Sequence, residues 1–339
     1  MGNSASRRVG VGLGRRPAVR TAVWTATVRV ALRVALRIAL PVAVIMAGAP
    51  IMAAIWASSL AAQQATPPQP PASGGAAATT PASETLQHGR PPHTFRVCAD
   101  PDNMPAANDK LEGFDNKIAA LLAKDLGDTV AYSWWPTRRG FVRNTLASSN
   151  CDVILGVPEG YDLVLPTKAY YRSGYVAVTR RDRHLKITSL DDSVLKTLSI
   201  GVTQIGDNYT NTPPAQAVGA RGMSKGVIGF TSFYSAADRP GDIIDAVGKG
   251  KIDVALVWGP LAGYFAKHSS VPLDLAMLPD TDRVTGLPFA FNLTLGVRRA
   301  DRGLRDTLNA ALDRHRADID GILRDYGVPV LPITEPAAH

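Results

Sequence analysis

The chain has 339 residues, with 37 lysines and arginines against 29 acidic residues and a formal net charge of +8. Eight arginines precede the first acidic residue, and no other lysine or arginine does: Arg7, Arg8, Arg15, Arg16, Arg20, Arg29, Arg33 and Arg37. Removing these eight from the 37 leaves 29 basic and 29 acidic residues, so the rest of the chain is formally neutral. This distribution argues against a basic nucleic-acid-binding domain, and a hydrophobic content of 45% indicates a folded globular chain.

The basic N-terminal stretch is followed by an uncharged apolar run, residues 38–57, and then by small residues around Ser59-Leu60-Ala61. This order is typical of a secretory signal, so we predict a signal peptide over residues 1–62. An uncleaved membrane anchor is the alternative, because an apolar helix of about 20 residues reaches about 30 Å. Residues 63–93 are rich in proline and alanine and predict a disordered linker. In both cases the folded part lies across the membrane, which predicts the periplasm.

Beyond residue 93, short apolar runs alternate with amphipathic patterns of helical period. We predict strands over residues 95–99, 129–134, 151–156, 175–179, 198–203, 252–257 and 289–297. We predict helices over residues 116–126, 140–147, 207–218, 242–247, 261–266 and 301–326, the last as one long helix or two short ones. This alternation indicates an α/β fold with mostly parallel sheets. A charged cluster at residues 180–183 suggests a boundary between two lobes, with a ligand cleft between them.

The two cysteines, Cys98 and Cys151, each lie in a predicted strand. If these strands end side by side near Asp100 and Val157, the cysteines are offset by about four residues, or roughly 13 Å. A disulfide tolerates a Cα separation of only about 7 Å. We therefore expect two buried free thiols, and a disulfide if the register differs.

Catalytic and metal-binding motifs are scarce in this chain. The six histidines show no metal-ligand spacing, and no nucleophile elbow, phosphate loop or dinucleotide fingerprint occurs in a suitable context. We therefore predict that the protein is not an enzyme and holds no metal and no cofactor. The enzymatic alternative is an activity with Glu159 or Asp162 as general acid.

Several segments carry a resemblance to a known family: residues 97–103 (VCADPDN), residues 134–146 (WWPTRRGFVRNTL) and residues 151–158 (CDVILGVP). With the GF-D-N-K helix and AYYRSGYVAV strand, the chain resembles type II periplasmic solute-binding proteins of family 3. The three segments are similar to those of the solute-binding-like proteins associated with quinoprotein methanol dehydrogenases. The resemblance covers residues 94 to about 333.

The resemblance implies two lobes, each a mostly parallel sheet flanked by helices, which we assign to residues 94–180 plus 290–335 and to residues 181–289. It also implies two hinge crossings, near residues 178–181 and 287–292. The implied function is that of an accessory protein that assists maturation or activation of a PQQ-dependent methanol or alcohol dehydrogenase by protein contact. The alternative is a receptor that delivers a small, non-zwitterionic ligand to an ABC transporter. A second alternative that the resemblance implies is a dehydratase-like enzyme on the same fold.

The chain departs from amino-acid-binding members at both charged ligand positions. Pro158-Glu159 is followed by Gly160-Tyr161, where the family usually has an arginine for the ligand carboxylate, and Val257 is followed by Trp258 in place of an acid. These changes favour an apolar ligand or a protein segment. We predict a ligand or partner cleft formed by Asp100, Asn103, Trp134, Trp135, Arg138, Arg139, Tyr161, Tyr170, Tyr171, Gln204 and Trp258.

Each of these residues also has an ordinary structural explanation. Adjacent strand residues face opposite sides of a sheet, so at least one of Trp134 and Trp135 is expected to serve packing. Asp100 and Asn103 are common turn residues, and Gln204 precedes a helix either as part of a cap or as an anion site. Apart from its leader, the protein is expected to contact no membrane.

Overall fold

A computed structural model describes residues 92–205, 210–223, 225–232, 234–235 and 237–335. The predicted signal peptide and nearly all of the predicted linker lie outside the described residues. No helix within the described ranges is both long and apolar enough to cross a membrane.

Thirteen strands are described, in chain order β1 (Thr94–Ala99), β2 (Asp102–Asn103), β3 (Ala107–Asn108), β4 (Thr129–Trp134), β5 (Val153–Pro158), β6 (Leu165–Pro166), β7 (Tyr171–Arg180), β8 (Ile200–Ile205), β9 (Thr210–Asn211), β10 (Val227–Thr231), β11 (Val254–Trp258), β12 (Leu273–Met277) and β13 (Ala290–Val297). The described helices are α1 (Phe114–Asp125), α2 (Phe141–Asn144), α3 (Pro213–Ala220), α4 (Asp242–Gly248), α5 (Gly259–Lys267), α6 (Arg302–Arg314) and α7 (Arg316–Asp325).

The sheet runs in the order β10-β8-β11-β7-β13-β5-β1-β4. Its two ends are parallel: β1 pairs with β4 and β5, and β8 pairs with β10 and β11. The middle is antiparallel, because β7 pairs with β13 on one side and with β11 on the other. The α/β prediction is therefore confirmed, with two parallel half-sheets joined through β7 and β13.

Strand β7 changes partners along its length. Gly174 pairs with Ala290 of β13, whereas the next residue, Tyr175, pairs with Trp258 of β11. The chain therefore passes from the first half-sheet to the second between Gly174 and Tyr175, and not at residues 178–181 as the sequence suggested. Residues 175–180 already belong to the second half-sheet, where they are covered by β12 on the other side.

Helix α1 shows how the sequence positions the first half. Ile118 and Leu122 are fully buried against the core that contains Phe95 of β1. At the start of the helix, the Asn116 side-chain oxygen accepts the backbone N–H of Gly113 at 3.0 Å. Gly127 has φ +68°, a conformation that favours glycine, and follows the last turn as the sequence predicted.

The expectation of two free thiols is wrong, because Cys98 and Cys151 form a disulfide with a Cα separation of 5.4 Å. Strand β5 begins at Val153, so Cys151 precedes it instead of lying within it. Within the strands, the residue that pairs with Cys98 is Ile154. Arg96 accepts a hydrogen bond from the backbone N–H of Asp152, which brings this turn back alongside β1. The bond lies in a small apolar cluster with Phe141, Leu146 and other buried side chains.

The C-terminal region forms two helices, α6 and α7, with a break at His315. After α7, residues 326–335 run across the strands that join the half-sheets, and we call this segment the C-terminal strap. Ser173 of β7 donates its hydroxyl to the Pro329 carbonyl at 2.6 Å, and Asn292 of β13 donates its side-chain N–H to the Thr334 carbonyl at 2.7 Å. The strap is therefore bonded to both crossing strands.

The same strap contacts helix α5 of the second half. Tyr326 stacks on Tyr264 with ring centroids 5.7 Å apart. Gly263 approaches Gly327 so closely that a Cβ on Gly263 would lie 1.9 Å from the Gly327 carbonyl oxygen. Only glycine fits at this contact, which joins the end of the chain to the second half.

Candidate functional site

The carboxyl ends of β1, β4 and β5 lie at one edge of the first half-sheet, because these strands are parallel neighbours. Asp100 follows β1 and organises this edge. Its carboxylate accepts the backbone N–H of Thr137 at 2.5 Å and that of Asp102 at 3.0 Å. Asn103 lies close by in the short β2–β3 hairpin. Asp100 thereby ties the loop after β1 to the loop after β4.

The adjacent residues Trp134 and Trp135 have different environments, as expected for neighbouring strand residues that face opposite sides of a sheet. Trp134 is partly buried, packs on the core of the first half and stacks on Tyr132 at a centroid distance of 4.5 Å. Trp135 is 42% exposed, and both Arg138 and Arg139 on the following turn are exposed. Trp134 therefore has the packing role, and Trp135 with the two arginines forms the accessible part of this loop.

Tyr161 and Leu163 lie in the loop that follows β5, and they are 43% and 60% exposed. The next residue, Val164, is buried in the same cluster as Phe141, which begins just after the arginine-bearing turn. This packing places the β5 loop beside the β4 loop. We name Trp135, Arg138, Arg139, Tyr161 and Leu163 the edge surface.

The prediction that Tyr170 and Tyr171 line a cleft requires correction. These side chains are 1% and 4% exposed and belong to the core of the first half. Both faces of β7 are covered at this point, so adjacent residues can both be buried. The Tyr170 hydroxyl donates to the Asp115 carboxylate at 3.1 Å, and Tyr171 packs edge-on against Phe114.

Asp115 is the most perturbed carboxyl group of this region. Desolvation raises its pKa to about 7, against the opposing effect of the hydrogen bond from Tyr170. No salt bridge to Asp115 occurs among the described residues. The chain therefore keeps a carboxyl group at the start of α1 that protonates near neutral pH.

Replacing Asp115 by asparagine is expected to reduce the pH dependence of stability. The folded pKa of about 7 exceeds the unfolded value of about 3.9, so the folded state binds the extra proton between these pH values. The free energy of unfolding should consequently fall as pH rises from about 4 to about 7. Urea unfolding at about pH 5 and about pH 8 should show a smaller fall in Asp115→Asn than in the parent protein. Equal falls would contradict the assignment.

The two positions that carry charge in amino-acid binders are differently engaged here. At the first position Tyr161 is 43% exposed, and the preceding Glu159 accepts a hydrogen bond from the Asn292 side chain at 2.8 Å, which ties this acid to β13. Trp258 packs edge-on against Tyr175 at 5.4 Å and lies 6.1 Å from Phe291. Trp258 therefore belongs to an aromatic cluster at the crossing strands and stabilises the junction of the two halves.

A cavity of about 490 Å³ lies in the second half, at the carboxyl ends of β8 and β10 and beside α4. Gln204, which the sequence singled out, is part of its wall, with its side chain directly over Gly229. The lining, as far as the described residues form it, comprises Thr203, Gln204, Gly229, Phe230, Thr231, Tyr234, Asp238, Arg239, Pro240, Asp242 and Ile243.

Sequence reasoning missed most of this cavity, because the segment between β10 and α4 was not assigned. A usable signal was present, since Phe230 and Tyr234 bracket a polar loop directly after a short strand. Desolvation raises the pKa of Tyr234 to about 12, and the charge of Asp100 contributes to the rise. This electrostatic contact brings the cavity close to the carboxyl edge of the first half-sheet.

Within the ranges that the structure describes, no group of three or more histidine, cysteine, aspartate or glutamate side chains is arranged to hold a metal ion. The Asp100 carboxylate is bonded to backbone N–H groups, and the Glu159 carboxylate is bonded to the Asn292 amide. The arrangement offers exposed aromatic and basic side chains in the first half and a partly aromatic cavity in the second.

Comparison with known proteins decides the family. The family model for bacterial extracellular solute-binding proteins, family 3, matches residues 95–328. The chain belongs to this family. The resemblance drawn from the sequence is thereby confirmed, and the fold is that of a type II periplasmic binding protein.

Three known proteins are each similar to about 70% of this chain. Protein MoxJ of Methylorubrum extorquens is 31% identical over 255 residues, which cover 71% of this chain and 83% of MoxJ. The crystal structure of the periplasmic binding protein XoxJ from Methylobacterium extorquens AM1 is 34% identical, covers 70% of this chain and 100% of XoxJ, and has a TM-score of 0.58. The crystal structure of MxaJ from Methlophaga aminisulfidivorans MPT is 29% identical, with coverages of 70% and 100% and a TM-score of 0.60.

Proposed function

We propose that this protein is a periplasmic accessory protein of a PQQ-dependent methanol or alcohol dehydrogenase and assists its maturation or activation by direct contact. The observation that carries the proposal is the replacement of both charged ligand positions: Tyr161 is exposed in one place, and Trp258 is packed into the crossing strands in the other. An amino-acid zwitterion finds no charge partner there. The similarity to MoxJ, XoxJ and MxaJ supports the same conclusion.

The proposed location follows from the family and the leader. The family consists of extracellular proteins, and XoxJ is described as a periplasmic binding protein. The eight leader arginines and the apolar run that follows them would direct export. We propose that the first lobe comprises residues 94–174 plus 290–335 and the second residues 175–289, with the boundary at the partner change in β7.

We propose that the edge surface is the contact region for the dehydrogenase. Trp135, Tyr161 and Leu163 expose large apolar side chains from two adjacent loops, and Arg138 and Arg139 accompany them. Interfaces are enriched in tryptophan, tyrosine and arginine, which supply most of the binding energy at hot spots.

The test is the activity of the dehydrogenase in cells that contain or lack this protein, together with co-purification of the two proteins. We expect alcohol oxidation to fall on deletion, and we expect Trp135→Ala combined with Leu163→Ser to reproduce the loss. Val284 is 55% exposed outside the edge surface, so Val284→Ser is the matched control and should preserve activity. Unchanged alcohol oxidation after deletion would refute the accessory function.

A second candidate function is favoured by the cavity of about 490 Å³, whose size suits a small ligand. In this alternative the protein is a receptor that delivers a small, non-zwitterionic solute to an ABC transporter. A solute whose uptake is lost on deletion, with alcohol oxidation unchanged, would support this alternative over the accessory function.

A further inference from the structure

The cavity of the second half combines aromatic walls with an uncompensated negative charge. Phe230, Tyr234 and Ile243 supply apolar surface, and the side chains of Gln204 and Thr203 supply neutral polar groups. The cavity opens where β8 and β10 end, which is where ligands bind in open α/β sheets. Its chemistry therefore determines which class of ligand it can hold.

Arg239 is the one basic side chain in the described lining, and its charge is already engaged. Its guanidinium donates to Asp242 at 2.8 Å and to Asp245 at 3.2 Å, and its backbone N–H donates to Asp242 at 2.9 Å. Lys249 also pairs with Asp245 at 3.1 Å, so the arginine, the lysine and the two aspartates form a local network of balanced charge. An anionic ligand would have to displace a carboxylate to reach Arg239.

Asp238 adds a second acidic group to the lining. Its backbone takes part in the turn with Ser235, but its exposed carboxylate bonds to no described residue. Asp100 supplies a further negative charge near Tyr234, as its effect on that hydroxyl shows. Among the described residues, the cavity thus has carboxylates beside aromatic rings, and its one basic side chain, Arg239, is already paired.

We infer that this cavity binds a small organic cation without a carboxylate, an alkylammonium or an alkylguanidinium. The cationic head would pair with Asp238 and lie against the aromatic faces of Phe230 and Tyr234, where the attraction between a cation and an aromatic ring adds to the charge pair. The alkyl part would pack on Ile243 and Pro240. A ligand carboxylate would be repelled by the Asp238 carboxylate, which would weaken binding. This site is independent of the proposed contact with a dehydrogenase.

The test compares three probes by isothermal titration calorimetry and thermal unfolding of the purified protein without a dehydrogenase. Agmatine carries a guanidinium without a carboxylate, L-arginine adds the carboxylate, and 1-pentanol has no charge. We expect agmatine to bind and to raise the melting temperature in proportion to its concentration. L-Arginine and 1-pentanol should each bind at least roughly tenfold more weakly than agmatine, which is the loss expected for one charge-assisted contact.

Two variants of the lining and one control locate the site. Asp238→Asn and Phe230→Leu should each weaken agmatine binding, the first by roughly tenfold. Asp306→Asn removes an exposed carboxylate on α6, away from the cavity lining, and should leave binding unchanged. Three results would each overturn the inference. Agmatine does not bind at millimolar concentration, L-arginine binds as tightly as agmatine, or both lining variants bind agmatine with the affinity of the parent protein. Dehydrogenase activity is not part of the readout, so failure here and failure of the proposed function are separate results.

Discussion

Reduction of the Cys98–Cys151 bond is expected to lower the free energy of unfolding by about 4 kcal/mol. The bond closes a loop with a sequence separation of 53, and the chain-entropy relation gives about 4 kcal/mol for a loop of this length. The measurement is guanidinium unfolding of the oxidised protein and of protein kept in dithiothreitol. The expected result is a lower transition midpoint in reductant.

The chain provides its own control for this experiment. It contains two cysteines, so a reductant can act on no other disulfide within one molecule. The double variant Cys98→Ala with Cys151→Ala should unfold like the reduced protein and should not respond to dithiothreitol. Identical transition midpoints for the oxidised and reduced parent would show that the bond does not stabilise the fold.

The substitution Asp152→Asn is expected to lower the free energy of unfolding by about 3 kcal/mol. Asp152 is 1% exposed and binds Arg96 at 2.6 Å and Arg298 at 2.5 Å. Removing this carboxylate takes the shared partner from two guanidinium groups, 16% and 15% exposed; Arg298 keeps its ion pair with Asp301 at 2.8 Å, which places the cost at the low end of the usual range. Breaking a buried ion pair on one side typically costs about 3–5 kcal/mol, because the remaining charge is left uncompensated. Chemical unfolding of Asp152→Asn measures the loss.

A matched control is available on the surface. Asp313 pairs with Lys168 at 2.6 Å, but the two side chains are 61% and 59% exposed. Asp313→Asn should therefore change the free energy of unfolding by less than about 1 kcal/mol. Equal losses in the two variants would contradict the role assigned to burial.

The same carboxylate has a defined pH dependence. Burial opposes ionisation of Asp152, but the hydrogen bonds from Arg96 and Arg298 outweigh it, and the pKa lies below its ordinary value. For a carboxyl group with a lowered folded pKa, the stabilisation is present above the unfolded pKa of about 3.9 and is lost as pH falls through the folded pKa. The cost of Asp152→Asn should consequently shrink in acid.

The elements with strong local signals could be predicted from the sequence. Helix α1 follows from its apolar period and from Gly127, and the break at His315 was one of two expected outcomes. Strands β10 and β12 were missed, because β10 is largely exposed with a glycine at its centre and only one residue of β12 is fully buried. Such strands depend on pairing with β8 and β7, which a local pattern does not reveal.

The errors at the site have the same origin in tertiary context. The disulfide was missed because Cys151 was placed inside a strand, whereas the turn at Ser149, with φ +58°, brings it back toward β1 before β5 begins. Tyr170 and Tyr171 resembled ligand-facing aromatics, but both are buried in the core of the first half. Gln204 could be singled out because it follows a recognisable predicted strand. The part of the cavity wall after β10 was missed because that segment was not assigned to any element.

The C-terminal strap also bears on the order in which the chain can fold during synthesis. Residues 175–289 are contiguous and contain β8, β10, β11 and β12, so the second sheet can form before the ribosome has finished. The first sheet cannot be completed then, because β13, α6 and α7 are still missing. The strap, which bonds β7, β13 and α5 together, follows every strand of both sheets in the chain. The junction between the halves is therefore completed only after all strands of both sheets have been synthesised.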